Sequence, residues 1–294
     1  MQLSANGIAL EVEDHGPTGG EPLLLIMGLG MQLVAWHDDF VASLVAQGFR
    51  VIRFDNRDIG LSQHFDHLGV PNVPVAAMKL AVGMSVTSPY SLVDMAADTA
   101  AVLDALGIAS AHVCGASMGG MIAQQLAVRH PQRVRSLTLM MTTTGARRLP
   151  GPSLRVRGAL LGRPADSSSI ESIIDHYVHV YKLIGSPGYP PDEAWLRQRL
   201  NISVRRSYHP QGVARQLMAI IADGDRSALL HRIAVPTQVM HGRDDPLVPV
   251  AAAHDLAAKI PGARLEVIEG WGHDLPPALW PRLVRGIEHA AGRA

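Results

Sequence analysis

The hexapeptide Gly115-Ala116-Ser117-Met118-Gly119-Gly120 constrains the fold more than any other stretch. It joins an apolar run, Ala111-His112-Val113-Cys114, to a helix-like run from Met121 to Val128. The order is strand, tight turn, helix, with a serine at the apex. A serine projecting from such a turn takes strained backbone angles, and bulky neighbours would collide with the incoming strand and outgoing helix. Glycine at 115 and 119 removes the obstruction, so the Ser117 hydroxyl stands clear at the mouth of a sheet. Glycine spacing alone does not make a serine catalytic, so its partners must be sought elsewhere in the chain.

Ahead of this turn, Ile8 to Glu13 alternates apolar and polar residues, as a half-exposed strand does. Leu23 to Met27 is continuously apolar, the pattern of a strand buried on both faces, and it ends in Gly28-Leu29-Gly30. A short helix over Asp38 to Gln47 stops at Gly48. The strand Phe49 to Phe54 then runs into Asp55-Asn56-Arg57-Asp58-Ile59-Gly60-Leu61-Ser62. Residues 63–88 carry Pro71, Pro74 and Gly83 and read as a long loop of the functional or partly helical kind. Ser91 to Leu106 is a strong helix, capped by Ser91 with Asp94 and ended by Gly107.

After a buried strand over Val134 to Met141 the alternation ceases. From Thr142 to about Arg232 the pattern shows helices (Ile170 to Ile184, Glu193 to Leu200, Gln211 to Ile221) and no buried strand. Strand, helix, strand and helix resume at Val235 to Met240, Ala251 to Lys259, Arg264 to Ile268 and Pro277 to Ala290. Alternating strands and helices predict an α/β fold with a mostly parallel sheet covered by helices on both faces. The expected division is a core over 1–142 and 233–294 with a helical cap inserted at 143–232.

The bulk numbers exclude several classes. The 294 residues carry 26 Lys plus Arg against 26 Asp plus Glu, which gives no reason to expect a nucleic-acid partner. The single cysteine, Cys114, rules out an intrachain disulfide framework and is expected to pack in the core. The first seven residues lack the basic and apolar regions of a signal peptide, and no apolar run reaches the roughly 18 residues of a membrane span. The expectation is a cytoplasmic protein with no membrane partner. Charge is uneven along the chain: residues 143–232 hold 13 Lys and Arg against 7 Asp and Glu, a surplus of six that the rest of the chain balances. A solvated cap surface packed on a more acidic core accounts for it, and attraction of an anionic substrate is the alternative.

A serine hydroxyl needs a general base, an acid that orients the base, and donors for the oxyanion. In doubly wound sheets these gather in loops at the carboxyl ends of strands. Two loops qualify: His241-Gly242-Arg243-Asp244-Asp245-Pro246-Leu247-Val248-Pro249 and Glu269-Gly270-Trp271-Gly272-His273-Asp274. The order is Ser, Asp, His, and the residues themselves leave Asp244 and Asp245 in competition.

These blocks, with Asp55-x-Arg57-x-x-Gly60-x-Ser62 and the Ser117 turn, resemble the α/β-hydrolase superfamily over essentially the whole chain. The resemblance implies Asp245, five positions into the His-Gly block, as the acid and His273 as the base. It implies the backbone N–H groups of Met118 and Leu29 as the oxyanion hole. Many relatives carry His-Gly where this chain has Met27-Gly28, so the hydrogen bonding around that loop must differ. Met27-Gly28, Trp36 to Phe40 and the Ser-Met-Gly of the turn look most like esterases of the aclacinomycin methylesterase kind. The resemblance therefore implies a serine esterase acting on small to medium apolar esters through an acyl-enzyme on Ser117, with no cofactor and with assembly into homo-oligomers left open. The same triad also serves carbon–carbon bond hydrolases, lactonases and cofactor-free perhydrolases, and the fold can serve as a non-catalytic ligand-binding protein.

Other chemistries lack their signatures. His64 with His67, and His176 with His179 and Asp175, have helical spacing but no third partner, so no metal is expected. Gly28-Leu29-Gly30 lacks the third glycine of a dinucleotide fingerprint, and no Lys-Ser/Thr follows Gly120. His241 reads as structural, and Asp55 and Arg57 as a turn fixed by a charge-assisted hydrogen bond.

Overall fold

The computed structural model of the chain describes residues 1–292. Its centre is an eight-stranded sheet built from β1 (Gln2–Ala5), β2 (Ile8–His15), β3 (Glu21–Ile26), β4 (Phe49–Phe54), β5 (Ala111–Ala116), β6 (Val134–Met140), β7 (Thr237–Gly242) and β8 (Arg264–Ile268). The order is β1-β2-β4-β3-β5-β6-β7-β8. β1 and β2 pair antiparallel, as do β2 and β4, while the pairings from β4 across to β8 are parallel. The helices α1 (Asp38–Ala46), α3 (Leu92–Ala105), α4 (Met118–Arg129), α9 (Ala251–Lys259) and α10 (Trp280–Ala290) flank the sheet, and α2 (Val73–Ala81) packs instead against α8 (Pro210–Asp223).

Both faces are covered, and the alternation within one strand shows it. Leu24 and Ile26 join Leu103, Ile122, Leu126 and Leu256 in the core beneath α3, α4 and α9. Leu23 and Leu25 face the other way, towards Phe40, Leu44, Leu283 and Ile287 of α1 and α10. A strand buried on both sides has no polar face, which is why its sequence runs continuously apolar. Cys114 lies in this second core with its sulfur 4.0 Å from that of Met140.

The sequence pattern missed β1. Its four residues include Ser4 and Ala5 and show no apolar run, yet Asn6 and Gly7 both take positive φ (52° and 75°) and turn it back on β2. An Asn-Gly pair is the two-residue hairpin signal, and it was legible. Within residues 63–88 the chain forms α2 rather than a loop without structure.

Between β6 and β7 the chain leaves the sheet for α5 (Leu154–Leu161), α6 (Ile170–Ile184), α7 (Glu193–Arg206) and α8 (Pro210–Asp223). α5 is short, contains Gly158 and buries only Val156, so no periodicity announced it. Ile174 and Val178 of α6 meet Leu196 and Leu200 of α7 in a small core of their own. α7 continues past the expected end at Leu200 through Asn201, Ile202, Ser203 and Val204, which are modest helix formers. Tertiary contacts hold that last turn. Gln32 Nε2 donates to the Ser203 and Ser207 carbonyls, and Arg206 Nη1 donates to Asp55 Oδ2 at 2.6 Å.

The turn after β4 corrects one expectation. Asp55 and Arg57 do not bond each other. Asp55 accepts from Leu33 N, Leu61 N and Arg206, whereas Arg57 makes a bidentate pair with Asp98 of α3 at 2.6 and 2.7 Å. Asp58 receives a second fork from the cap, with Arg215 Nε and Nη2 both at 2.8 Å. The turn is thus the seat on which α7 and α8 rest.

Both side chains of the Arg215–Asp58 pair are fully buried. Removing one partner strands the other charge out of water, so Arg215→Ala should lower the unfolding free energy by about 3–5 kcal/mol in urea. A loss below about 1 kcal/mol would show that the cap is not seated through this pair.

Candidate active site

Ser117 links β5 to α4 with φ 54° and ψ −120°, a conformation rare for a residue with a side chain. Strain of this kind costs on the order of 1–3 kcal/mol and persists only where the surroundings over-determine it. Here Ser117 N donates to the Met140 carbonyl at 2.9 Å, and its own carbonyl accepts from Thr142 Oγ1 at 2.7 Å and Gly120 N at 3.0 Å. The flanking glycines answer to space, not to φ. A Cβ on Gly119 would lie 2.0 Å from the Ile26 carbonyl oxygen, and one on Gly115 2.3 Å from that of Gly119.

The other two sequence candidates come to this serine. His273 Nε2 lies 3.0 Å from Ser117 Oγ, and Nδ1 lies 2.7 Å from Asp245 Oδ2. A carboxylate accepts, so Nδ1 carries the proton and Nε2 offers its lone pair to the hydroxyl. Asp245 is buried, and its Oδ1 accepts from Leu247 N at 2.9 Å and Val248 N at 2.8 Å, which fixes the carboxylate plane. Asp244 is exposed and accepts instead from Gly270 N at 2.8 Å. Folding therefore separates two acids that adjacency in the chain leaves equivalent.

His241 stands behind Asp245. It is fully buried, its Nε2–H donates to the Val248 carbonyl at 2.7 Å, and the same nitrogen is 3.5 Å from Asp245 Oδ2. Burial drives its pKa below the usual imidazole value of 6.5, with Asp245 opposing. A neutral, hydrogen-bonded ring braces the acid loop and does not reach the serine.

The loop after β3 closes over Ser117 from the opposite side. A Cβ on Gly28 would meet Ser117 Cβ at 3.0 Å, so a side chain there would crowd the serine. Met118 N begins α4, where main-chain N–H groups have no intrahelical partner. Gly30 N is taken by Gln216 Oε1 and Met31 N by the Gly28 carbonyl, while Leu29 N and Met118 N have no protein acceptor among the described residues. With methionine at 27, the loop is tied by Asn56 Nδ2 to the Met27 carbonyl at 3.0 Å.

Two residues of the His273 surroundings escaped sequence reasoning. Asp274, next to His273, is buried, and that burial pushes its carboxyl above the usual range against hydrogen bonds from Ser186. Ser186 lies in the cap just after α6 and belongs to no local pattern that could have marked it.

Among the described residues, His64, Asp66 and His209 have ligand atoms within 4.8 Å of one another. Their geometry does not suit a metal. The two imidazoles stack at 3.9 Å with planes 5° apart, so their in-plane lone pairs cannot converge on one ion. Arg215 Nη2 also sits 2.9 Å from Asp66 and 3.1 Å from His209 Nε2, a cation already in place. No helix among the described residues is long and apolar enough to cross a membrane.

Fold and geometry together define a class, and the chain belongs to the α/β-hydrolase family: residues 21–276 match the family described as alpha/beta hydrolase fold. It is 31% identical to rhodomycin D methylesterase DnrP of Streptomyces peucetius, over 97% of this chain and 95% of that protein. It is 30% identical to the 2-hydroxymuconate semialdehyde hydrolase of Pseudomonas sp. (strain CF600), over 99% of this chain and 89% of that one. Among solved structures, the meta-cleavage product hydrolase CumD of Pseudomonas fluorescens IP01 superposes with a TM-score of 0.76 over 99% of this chain and 97% of its own, at 21% identity. That last likeness is one of fold.

The lowered pKa of His241 has a stability consequence. In mildly acidic solution the unfolded chain binds a proton that the buried ring refuses, so this contribution is whole above about pH 6.5 and is lost as pH falls towards the folded value. His241→Gln should therefore flatten the loss of stability between about pH 7 and 5, read from urea midpoints. Equal slopes in the two proteins would contradict it.

Proposed function

We propose that this chain is a serine carboxylic-ester hydrolase in which Ser117 is the nucleophile, His273 the general base and then acid, and Asp245 the residue that orients His273. The observation that carries this reading is the unbroken path from Asp245 Oδ2 through both His273 nitrogens to Ser117 Oγ, at 2.7 and 3.0 Å. His273 Nε2 takes the serine proton as Oγ attacks the ester carbonyl. The oxygen that becomes negative turns towards the N–H groups of Leu29 and Met118, and each such donor is worth about 3 kcal/mol to the transition state. Nε2 then protonates the departing alcohol. Water, deprotonated by the same nitrogen, releases the acid from Ser117 and restores the enzyme.

Ester cleavage is favoured because two rhodomycin D methylesterases are 31% and 30% identical and are each matched over 95% of their length, against 89% for the semialdehyde hydrolase, and methyl esters are the substrates to try first. The second reading is hydrolysis of a carbon–carbon bond, favoured by the 30% identity to the semialdehyde hydrolase. The triad serves both. The two reactions differ in whether the group leaving the tetrahedral centre is an alkoxide or a stabilised carbanion, and that is decided by the walls above Ser117.

A substrate panel and two variants test the proposal. Rates on methyl and p-nitrophenyl esters of increasing acyl length, set beside a lactone and a vinylogous diketone, should show turnover of the esters. Turnover of the diketone alone would replace the ester reading with the second. Ser117→Ala should abolish ester turnover and labelling by a fluorophosphonate while leaving the unfolding midpoint in place, and Asp245→Asn should cost roughly 10⁴-fold in kcat by presenting the wrong imidazole tautomer. Full activity in Ser117→Ala would remove the mechanism altogether.

A further inference from the structure

His273 sits five residues beyond the end of β8, in a loop gripped from two sides. On one side is the end of β7, where a Cβ on Gly242 would lie 2.0 Å from the Trp271 carbonyl oxygen and Asp244 N donates to that carbonyl at 3.1 Å. On the other is the cap. His273 N donates to the Ile184 carbonyl at 2.7 Å, at the last residue of α6. The residue before it, Gly272, donates its N–H to Ser186 Oγ at 3.0 Å. For the residue after it, Asp274, the donor is Ser186 Oγ and the acceptor Oδ1. One hydroxyl therefore ties down both neighbours of His273 at once, accepting from one and donating to the other.

The packing leaves this bridge little freedom. Ser186 is 2% and Asp274 8% exposed. A Cβ on Gly272 would lie 2.3 Å from the Gly185 carbonyl oxygen, so the two chain segments touch main chain to main chain. Further along, Gly188 N donates to the Gly270 carbonyl at 2.9 Å. On the core side, Trp271 Nε1 donates to the Asp274 carbonyl at 2.7 Å with its ring fully buried. A shift of the segment after α6 therefore pulls on both neighbours of His273, while Ser117 is anchored independently through the Met140 carbonyl.

We propose that Ser186 and Asp274 are positioning residues: their hydrogen bond makes the seating of the cap set the alignment of His273 between Asp245 and Ser117. The inference rests on the triad assigned above. It makes the cap a working part of the catalytic geometry as well as a wall of the site. Misplacing a reacting group by about 1 Å costs on the order of 10²-fold in rate, so loss of one bridge should be visible in kcat.

Ser186→Ala removes both hydroxyl bonds and leaves of the bridge only the main-chain hydrogen bond from Ser186 to the Asp274 carboxylate. It should lower kcat on a p-nitrophenyl ester by roughly 10- to 100-fold while KM changes by less than about twofold, because substrate contacts are untouched. The proton NMR signal of the His273 Nδ1–H, shared with Asp245, should broaden or vanish in the variant. Ser186→Thr keeps the hydroxyl and should recover kcat to within about threefold of wild type. If Ser186→Ala does not fold, Asp274→Ala and Asp274→Asn carry the test from the other end. The alanine should lose kcat to the same degree, and the asparagine, whose amide oxygen still accepts from Ser186, should stay within about threefold. Wild-type kcat and an unchanged Nδ1–H signal in Ser186→Ala, or in Asp274→Ala, would overturn the positioning role. Running Ser117→Ala alongside separates the two claims: an inactive Ser117→Ala with a fully active Ser186→Ala refutes the bridge alone, and an active Ser117→Ala refutes the triad beneath it.

Discussion

Everything at the site depends on how closely main chains converge beneath Ser117. The ends of β3, β5 and β6 meet there: Gly119 packs against the Ile26 carbonyl, Gly28 against the Ser117 side chain, and Ser117 N is held by the Met140 carbonyl. These contacts leave no room for a Cβ at 115 or 119 and over-determine a serine at positive φ. Because the turn is rigid, the hydroxyl and the first N–H groups of α4 have fixed directions before any substrate arrives.

The charge imbalance of the cap has a structural account. Arg206 pairs with Asp55, Arg215 with Asp58 and Asp66, and Arg148 with Asp255, so several of the cap's cations meet carboxylates of the sheet region. Burying such pairs returns little net stability, since desolvation offsets much of the attraction. Asp55 shows the balance: burial raises its pKa although Arg206 and two backbone N–H groups pull the other way. The pairs supply geometry instead. They seat α7 and α8 on the turn after β4, while the end of α6 grips the loop that carries His273.

How much could be read in advance depends on burial. The strands β3 to β7 were legible because most of their residues are buried, and α3 was legible because its capping box and stop are local. α5 was not, because it is short and buries only Val156, and β1 is marked only by the Asn6-Gly7 turn that follows it. α7 runs past Leu200, where local propensity would end it, because distant Gln32 and Asp55 hold its last turn. At the site, Ser117 and His273 stood in loops that the strand pattern located. The choice between Asp244 and Asp245 rested on a family resemblance until the fold buried one beside His273 and left the other exposed at Gly270.

The sequence by itself determined most of the alternation of strands and helices, the glycine-flanked serine turn, and the placing of the Asp244-Asp245 and His273 loops just past strand ends. Each of these is written in neighbouring residues through backbone sterics and hydrophobic periodicity, so no distant contact is needed to read it. Only the tertiary structure decided that Arg57 turns to Asp98 and Asp55 to Arg206, and that Ser186, 87 residues before His273 in the chain, bridges the neighbours of that histidine. The reason is physical. A side chain's partner is set by which segments packing brings within about 3 Å, and that distance has no signature along the chain.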